Sequence, residues 1–207
     1  MGRLRGCDGV RGSGFRPYGS LTQKVGREDR IMADILAIKK LYIETERLRI
    51  VPMTYDFVKK LLDNDASAYE VLGAVKTETW PEKADIWDVL PMMASGLNKS
   101  PVPDGFNGAW LFINKTDNSV VGDGGYKGLP DENGVIDFGY GIVETQRQKG
   151  FGFEAVSALC KWGLAQPDVK GLSADCLENN MPSIKLLKKL GLQEVERKGG
   201  MIFFKTL

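Results

Sequence analysis

A glycine turn in the second half of the chain limits the folds that this sequence can adopt. Residues 146–152, QRQKGFG, join the stretch GVIDFGYGIV to the stretch FEAVSALCKWG. The first stretch has the two-residue period of a strand, and the second has the 3.6-residue period of a helix. Gly150 and Gly152 therefore stand where a strand passes into a helix, with the cations Arg147 and Lys149 beside them. Because free N–H groups and a positive dipole end meet at a helix N-terminus, this turn is a candidate anion site.

Three interpretations of the turn are open on its residues alone. It is a tight connection without a ligand, a dinucleotide-binding fingerprint, or a cradle for a phosphate group. Gly150, Gly152 and Ala155 satisfy the fingerprint spacing G-x-G-x-x-A. A dinucleotide-binding domain, however, places that motif after the first of several parallel strands. Here a meander of strand patterns precedes the turn, which disfavours the dinucleotide interpretation.

The other periodicities predict a mixed α/β sheet with helices on both faces. Strands are expected at residues 42–52, 108–115, 119–128, 134–143 and 171–177, followed by a closing hairpin around Gly199–Gly200. Helices are expected after Thr54, at residues 66–72, after Trp80–Pro81 with Pro91 bending or ending the helix, after the glycine turn, and from Asn180 to Gly191.

Composition excludes several classes of function. A chain of 207 residues with 43% apolar content suits one globular core, and no uncharged apolar run approaches the roughly 20 residues of a membrane span. There is no histidine, so the commonest general base and metal ligand is missing. Cys7, Cys160 and Cys176 lack metal-ligand spacing. We therefore expect no metal, no membrane partner, and a cytoplasmic protein with reduced thiols.

The first 31 residues differ from the rest of the chain. They are rich in Gly and Arg and show no amphipathic period and no apolar stretch of a signal peptide. No aromatic interleaving or fold motif supports a basic arm for nucleic acid, so no nucleic-acid partner is expected. We expect residues 1–31 to be a flexible or non-native extension and residues 32–207, beginning at Met32, to form a single domain.

Four motifs, in order, make residues 42–207 resemble the GNAT acyltransferases. The turn from Arg147 to Gly152 looks like the R/Q-x-x-G-x-G/A signature of that superfamily. YIETERLRIVPM resembles the opening strand of its branch of ribosomal-protein N-terminal acetyltransferases, and VVGDGGYKG and VIDFGYGIV resemble its central strands. LENNMPSIKLLKKLGLQEV resembles its later helix. The resemblance implies the GNAT-like acyl-CoA N-acyltransferase fold with a splayed central sheet, and it selects the phosphate cradle among the three interpretations.

The resemblance also implies that acetyl-CoA is the co-substrate. The pyrophosphate would be held by the turn residues Arg147, Gln148, Lys149, Gly150, Phe151 and Gly152. The pantetheine arm would lie where the strand 135–143 splays from the strand 171–177. There it would contact Ile142 and Val143 as an added strand does, with Asn180 as both helix cap and cofactor contact.

In such a fold the amine attacks the thioester directly, and catalysis is positioning plus proton removal. Asp137 is the first candidate for the base, because several family members carry a glutamate there. A structural carboxylate, or one that attracts a cationic amine, is the alternative role of Asp137. Glu144 and Glu178 are weaker candidates.

The departing CoA thiolate also needs a proton. Leu187 occupies the position where many GNAT enzymes carry a tyrosine acid. Ser183 is the hydroxyl that remains, as in the ribosomal-protein branch. Its alternative role is to satisfy backbone groups in the first turn of the helix.

These features predict an N-acetyltransferase that moves the acetyl group of acetyl-CoA to a primary amine in a ternary complex. The acceptor is a small-molecule amine or a peptide N-terminus, and the net charge of +1 does not choose between them. Candidate pocket residues are Tyr69, Trp80, Trp87, Met92 and Met93. The alternative class is a non-catalytic acyl-CoA-binding or sensor module with the same fold. Monomer and homodimer are both open.

Overall fold

The computed structural model describes residues 28, 29, 32, 35, 39, 41–77, 80, 81, 85–99 and 105–206. Its strands are Ile43–Glu44 (β1), Leu48–Pro52 (β2), Asn107–Asn114 (β3), Val120–Lys127 (β4), Val135–Ile142 (β5), Gly171–Leu177 (β6), Gln193–Lys198 (β7) and Met201–Lys205 (β8). Its helices are Tyr55–Leu62 (α1), Ala68–Val71 (α2), Asp85–Lys99 (α3), Phe151–Leu164 (α4) and Met181–Lys189 (α5), with a 3₁₀ turn at Glu144–Gln146. The predicted extension lies outside the described residues except for Glu28 and Asp29, which are helical.

The strands form one mixed sheet in the order β1-β2-β3-β4-β5-β6-β8-β7. Strands β5 and β6 are parallel neighbours, and the other adjacent pairs are antiparallel. Parallel strands need a long crossover connection, and α4 supplies it between β5 and β6. The predicted mixed sheet is confirmed, and β5 is the strand that the glycine turn follows.

Helices α1, α2 and α3 cover one face of the first half of the sheet. The Thr54 side chain accepts a hydrogen bond from the Phe57 N–H and so caps α1. Phe57 packs in a core cluster with Leu111 of β3. Helix α3 continues through Pro91 to Lys99, so Pro91 does not end the helix. Leu90 and Leu97 are buried in the same cluster on either side of the proline, and this packing offsets the lost backbone hydrogen bond.

Helices α4 and α5 cover the opposite face. Val156 of α4 and Leu187 of α5 are fully buried against Ile136 and Phe138 of β5 and against β6 and β8. Helices therefore lie on both faces of the sheet, as the sequence predicts. No helix in the described ranges combines the length and the apolar character needed to cross a membrane.

The strand predicted at residues 42–52 is a hairpin of two strands. The Thr45 N–H donates to the Leu48 carbonyl at 2.9 Å, and the Leu48 N–H donates to Thr45 Oγ1 at 3.0 Å. These bonds close a turn that pairs Ile43 with Ile50. The turn contains no Gly or Pro, so the sequence pattern does not reveal it. It carries Arg47 to the N-terminus of α4.

Candidate active site

Strands β5 and β6 pair at one end and separate at the other. Their register joins Val135 with Gly171, Ile136 with Leu172, and Asp137 with Ser173, and the pairing stops there. Strand β5 continues to Ile142 beside β4, while β6 continues to Leu177 beside β8. A gap therefore opens in the sheet after Asp137. This is the splayed sheet that the resemblance implied.

One edge of β5 faces this gap with its backbone. The Val143 N–H donates to the Val121 carbonyl at 3.0 Å, and hydrogen-bonded positions alternate along an antiparallel pair. Gly141 and Gly139 therefore also bond to β4. The N–H and C=O groups of Tyr140 and Ile142 point the other way, toward β6. Such an edge can accept an extended, amide-containing ligand as an added strand.

The glycine turn stands at the open end of the gap. Gln148 has φ 62° and Gly150 has φ 84°, so both lie in the left-handed region. Gly150 is the N-cap of α4 and supplies no side chain to the helix end. The first α4 hydrogen bond runs from the Glu154 N–H to the Gly150 carbonyl, so the N–H groups of residues 151–153 have no partner within the helix. Left-handed turns and free helix N–H groups together form an anion-binding concavity.

Gly152 is placed where the backbone and its neighbours approach closely. A Cβ atom added there would lie 3.2 Å from Leu186 Cδ1 and 3.3 Å from Ile142 Cγ1. Helix α4 therefore begins directly against the last residue of β5 and against α5. The two glycines serve different purposes: Gly150 provides the left-handed turn, and Gly152 provides the close approach.

Arg47, which the sequence did not single out, braces this turn. Its guanidinium donates to the Lys149 carbonyl at 2.9 Å and to Glu154 Oε2 at 2.7 Å, and it lies 4.6 Å from the centre of the Phe151 ring. Glu154 also accepts from the Thr45 hydroxyl at 2.6 Å. Although burial opposes ionisation of Glu154, these hydrogen bonds outweigh it and lower the pKa of that carboxyl. The β1–β2 turn is thereby tied to the start of α4.

Most of the predicted cofactor residues lie at the gap or in the glycine turn, but Val143 does not face the gap. Ile142 presents its backbone to the gap, and its carbonyl accepts a hydrogen bond from Arg147 Nε at 2.9 Å. Lys149 donates to the Gln146 side chain at 3.0 Å. Val143 differs, because its N–H bonds to β4 and its side chain is buried in the core cluster beside α1. Of the predicted Ile142–Val143 pair, Ile142 is thus the better placed.

Asp137 is the last β5 residue that pairs with β6, so it marks the narrow end of the gap. Its Oδ2 lies 2.9 Å from Lys127 Nζ, and that ammonium also lies 2.6 Å from Asp175 Oδ1 of β6. Burial disfavours the Lys127 ammonium, but the two carboxylates outweigh burial and raise the pKa of Lys127. Asp137 therefore sits in an ion-pair triad that links β4, β5 and β6.

Ser183 lies across the gap from β5. Asn180 caps α5 by accepting the Ser183 N–H at 3.2 Å, which leaves the Ser183 hydroxyl outside the cap. That hydroxyl is 2.9 Å from the Tyr140 hydroxyl. Burial raises the pKa of Tyr140, although the bond to Ser183 opposes the shift. Tyr140 was missed by sequence reasoning, although the two-residue period places its side chain on the face of β5 opposite Asp137.

Of the predicted pocket residues, two belong to the core, Met93 is half-buried against it, and the Trp87 side chain lies outside the described residues. Tyr69 and Trp80 are buried and pack edge to face with ring centres 6.0 Å apart. Trp80 also donates from Nε1 to Asp123 Oδ2 at 2.7 Å. Asp123 pairs with Gly141 across β4 and β5, and a Cβ atom added to Gly141 would meet nothing within 4 Å. Met92 is 73% exposed. Open space thus remains beside Asp123 and Gly141, on the face where Asp137 lies.

The described residues contain no group of three or more His, Cys, Asp or Glu side chains arranged to hold a metal ion. Cys160 and Cys176 are free and buried. Burial raises the pKa of Cys160 to about 12 and also raises the pKa of Cys176. Neither thiol is therefore a thiolate near neutral pH.

Known proteins agree with this architecture. The chain is 32% identical over 149 residues to the uncharacterized N-acetyltransferase YjdG of Bacillus subtilis, which covers 72% of this chain and 88% of the relative. The ribosomal-protein-S5-alanine acetyltransferase of Vibrio fischeri has a TM-score of 0.55 and 15% identity, covering 80% of this chain and 96% of that chain.

A third similar protein is RimL, the ribosomal L7/L12 alpha-N-protein acetyltransferase, whose structure is a complex with coenzyme A. Its TM-score is 0.55 at 14% identity, covering 80% of this chain and 97% of that chain. Residues 47–193 match the acetyltransferase (GNAT) domain family. The resemblance stated from the motifs is confirmed, and the chain belongs to the GNAT family of N-acetyltransferases.

Proposed function

We propose that this protein transfers the acetyl group of acetyl-CoA to a primary amine by direct attack in a ternary complex. The observation that carries the proposal is the gap between β5 and β6, which opens beside the glycine turn. A turn of left-handed residues and free helix N–H groups suits the pyrophosphate of CoA. The backbone edge at Tyr140 and Ile142, which faces away from β4, suits the two amides of its pantetheine arm.

Direct transfer is supported by the state of the thiols. An acyl-enzyme route needs an activated nucleophile such as a thiolate. The buried thiols of Cys160 and Cys176 have raised pKa values and are therefore poor nucleophiles. The reaction then reduces to holding the amine against the thioester and removing its proton.

We propose that the acceptor approaches from the face of β5 that carries Asp137 and Gly141. Asp123 and Asp137 lie on this face, and carboxylates attract the ammonium form of an amine. Asp137 is the proposed base, and Ser183 on the opposite face is the proposed proton donor to the CoA sulfur. The acceptor class is a small-molecule amine or a peptide N-terminus.

The test is thiol release from acetyl-CoA in the presence of a panel of amines that includes peptides with free N-termini, polyamines and amino acids. Acetylated product, identified by mass spectrometry and formed in equal amount to free CoA, would support the proposal. Tight acetyl-CoA binding without amine-dependent thiol release over the whole panel would favour the non-catalytic acyl-CoA-binding or sensor module instead.

A further inference from the structure

Two hydroxyl groups meet across the gap between β5 and β6. The Tyr140 hydroxyl extends from β5 after that strand has separated from β6, and the Ser183 hydroxyl extends from the first turn of α5, which follows β6. The two oxygens are 2.9 Å apart and partly buried. Each side of the gap therefore contributes one hydroxyl, and together they bridge it.

We propose that Tyr140 and Ser183 form a proton relay that delivers a proton to the sulfur of the departing CoA. The inference rests on the proposed function and adds Tyr140 to it. As the C–S bond of the tetrahedral intermediate breaks, its electron pair passes to sulfur. Ser183 transfers its proton to that sulfur and takes the phenolic proton of Tyr140. The Tyr140 oxygen is then reprotonated by solvent, and solvent in turn receives from Asp137 the proton that the amine has lost.

The surroundings favour this pair over other proton donors. The chain contains no histidine. The carboxylates of Asp137 and Asp175 lie on the other face of the sheet and share Lys127. The helix cap uses the backbone N–H of Ser183, which donates to Asn180 Oδ1, and not its hydroxyl. The Ser183 hydroxyl has the Tyr140 phenol and the Cys176 thiol as side-chain neighbours. Both neighbours are neutral, so the hydroxyl can also turn to a ligand.

The chemistry of Tyr140 suits the source of the relayed proton. A phenol is more acidic than an aliphatic hydroxyl, with an ordinary pKa of about 10. Burial raises the pKa of Tyr140, so the phenol stays protonated near neutral pH. The titratable groups acting on it from the neighbouring elements are the thiols of Cys160 on α4 and Cys176 on β6, and both are neutral because burial raises their pKa values.

The first arm of the test is a double-mutant cycle with Tyr140→Phe and Ser183→Ala. Each single variant should lower kcat by roughly 10²-fold, the low end for a general acid, while KM for acetyl-CoA stays within about threefold. The double variant should be no slower than the slower single variant, because both residues act in one relay. Tyr126→Phe is the matched control. Tyr126 is another buried tyrosine on this side of the sheet, and it donates to the Leu159 carbonyl, away from Ser183.

The second arm needs no acceptor. Hydroxyl donors facing sulfur stabilise the thiolate of bound CoA, so CoA should bind more tightly relative to acetyl-CoA as the pH rises from 7 to about 9, through the thiol pKa of about 8.5. Calorimetry should show this gain in the wild-type protein and in Tyr126→Phe. It should be smaller in Tyr140→Phe and in Ser183→Ala.

The two arms separate the relay from the proposed function. Independent, additive losses of kcat in the double variant, or an unchanged pH-dependent gain for CoA in both single variants, would overturn the relay even though the wild-type enzyme acetylates amines. If the wild-type protein acetylates no amine, the proposed function fails, and the calorimetry still decides whether the hydroxyl pair faces the CoA sulfur.

Discussion

At the scale of single residues, the ion-pair triad limits what Asp137 can do. An ammonium at 2.9 Å already pairs with the Asp137 carboxylate, so an incoming amine has to displace Lys127 before Asp137 can accept its proton. The three side chains are between 28% and 49% exposed, so the triad contributes little to stability and its ion pairs can be exchanged. A substrate ammonium that displaces Lys127 would find two carboxylates, Asp137 and Asp175, already placed at the narrow end of the gap.

We predict that Asp137→Asn lowers kcat by about 10²–10⁴-fold, the usual span for a general base, with acetyl-CoA affinity nearly unchanged. The acidic limb of the pH–rate profile should disappear with the carboxylate. Asp175→Asn is the matched control, because Asp175 contacts the same Lys127 ammonium from β6, and its kcat should change by only a few fold. Equal losses in both variants, with the acidic limb intact, would exclude Asp137 as the base and leave attraction of the amine as its role.

Sequence reasoning found some of the site residues and missed others for a physical reason. Gly150 and Asn180 can be recognised in the sequence, because a left-handed turn and a helix cap favour particular residue types. Arg47 and Tyr140 act through partners far along the chain, namely Glu154 and Ser183. No local pattern encodes such contacts. In the sequence, Tyr140 belongs to the ordinary alternation of a strand and Arg47 belongs to the stretch TERL. Neither pattern indicates a functional site.

At the scale of elements, the glycine turn is positioned by three segments: the end of β5, the start of α4, and the β1–β2 turn. The sequence pattern located β5, α4, β6 and α5 to within one or two residues. These segments have a clear strand or helix period, and Gly, Asn or Pro residues stand near their ends. The division of β1 from β2 was missed, since it depends on hydrogen bonds between Thr45 and Leu48 rather than on turn residues.

We predict that Gly150→Ala raises the dissociation constant of acetyl-CoA at least about tenfold, or ~1.4 kcal/mol. The new Cβ atom would lie 3.2 Å from Arg47 Nη2, and the left-handed backbone strains any side chain. Gly191→Ala is the matched control, because Gly191 has φ 90° and a Cβ atom there would meet nothing within 4 Å. Both variants should lose similar stability, and only Gly150→Ala should lose affinity by calorimetry. Equal acetyl-CoA affinities of the two variants would show that the glycine turn is not part of the acetyl-CoA site.

We also predict that Glu154→Gln raises KM for acetyl-CoA by roughly 3- to 10-fold, or ~0.7–1.4 kcal/mol. An amide in place of the Glu154 carboxylate has one acceptor oxygen and no charge, so it holds Arg47 less firmly, and Arg47 in turn holds the Lys149 carbonyl less firmly. Glu194→Gln, which breaks the pair with Arg197 on β7, should leave KM unchanged. Steady-state kinetics with the amine at saturation measures both. A KM increase in neither variant would show that the brace is unrelated to cofactor binding.

The contact between β4 and α4 gives a prediction for stability at high pH. Tyr126 is buried against Gly163, and burial strongly raises the pKa of its phenol. In the unfolded chain this phenol ionises near pH 10, whereas in the folded protein it stays protonated. The unfolded state therefore binds fewer protons above about pH 10, and the wild-type protein loses stability there.

Tyr126→Phe should be less stable than wild type by about 1 kcal/mol at pH 7, because the hydrogen bond to the Leu159 carbonyl is lost. The difference should shrink above about pH 10, because the variant lacks the ionisation that favours the unfolded wild-type chain. Urea unfolding at pH 7, 9 and 10.5 measures it. A difference that stays constant over this range would mean that Tyr126 ionises equally in both states.

At the scale of the whole molecule, the sheet separates the core beneath α1–α3 from the core beneath α4 and α5. Helix α4 packs on β2–β4 as well as on β5 and β6, so it spans the gap, and the backbone link between β5 and β6 is three residue pairs long. The mixed sheet and its helices on both faces were predictable from periodicity. The gap was implied by the family resemblance alone, because the hydrophobic periodicity of the sequence does not indicate where two parallel strands stop pairing.

Our central claim is that acetyl-CoA occupies this gap as an added strand against β5. Amide hydrogen exchange, followed residue by residue by NMR with and without acetyl-CoA, tests it most directly. We predict that the Tyr140 and Ile142 amides become protected on binding, while the Gly139 and Gly141 amides, already bonded to β4, keep the same slow exchange. Calorimetric binding of acetyl-CoA without this alternating protection would contradict the claim.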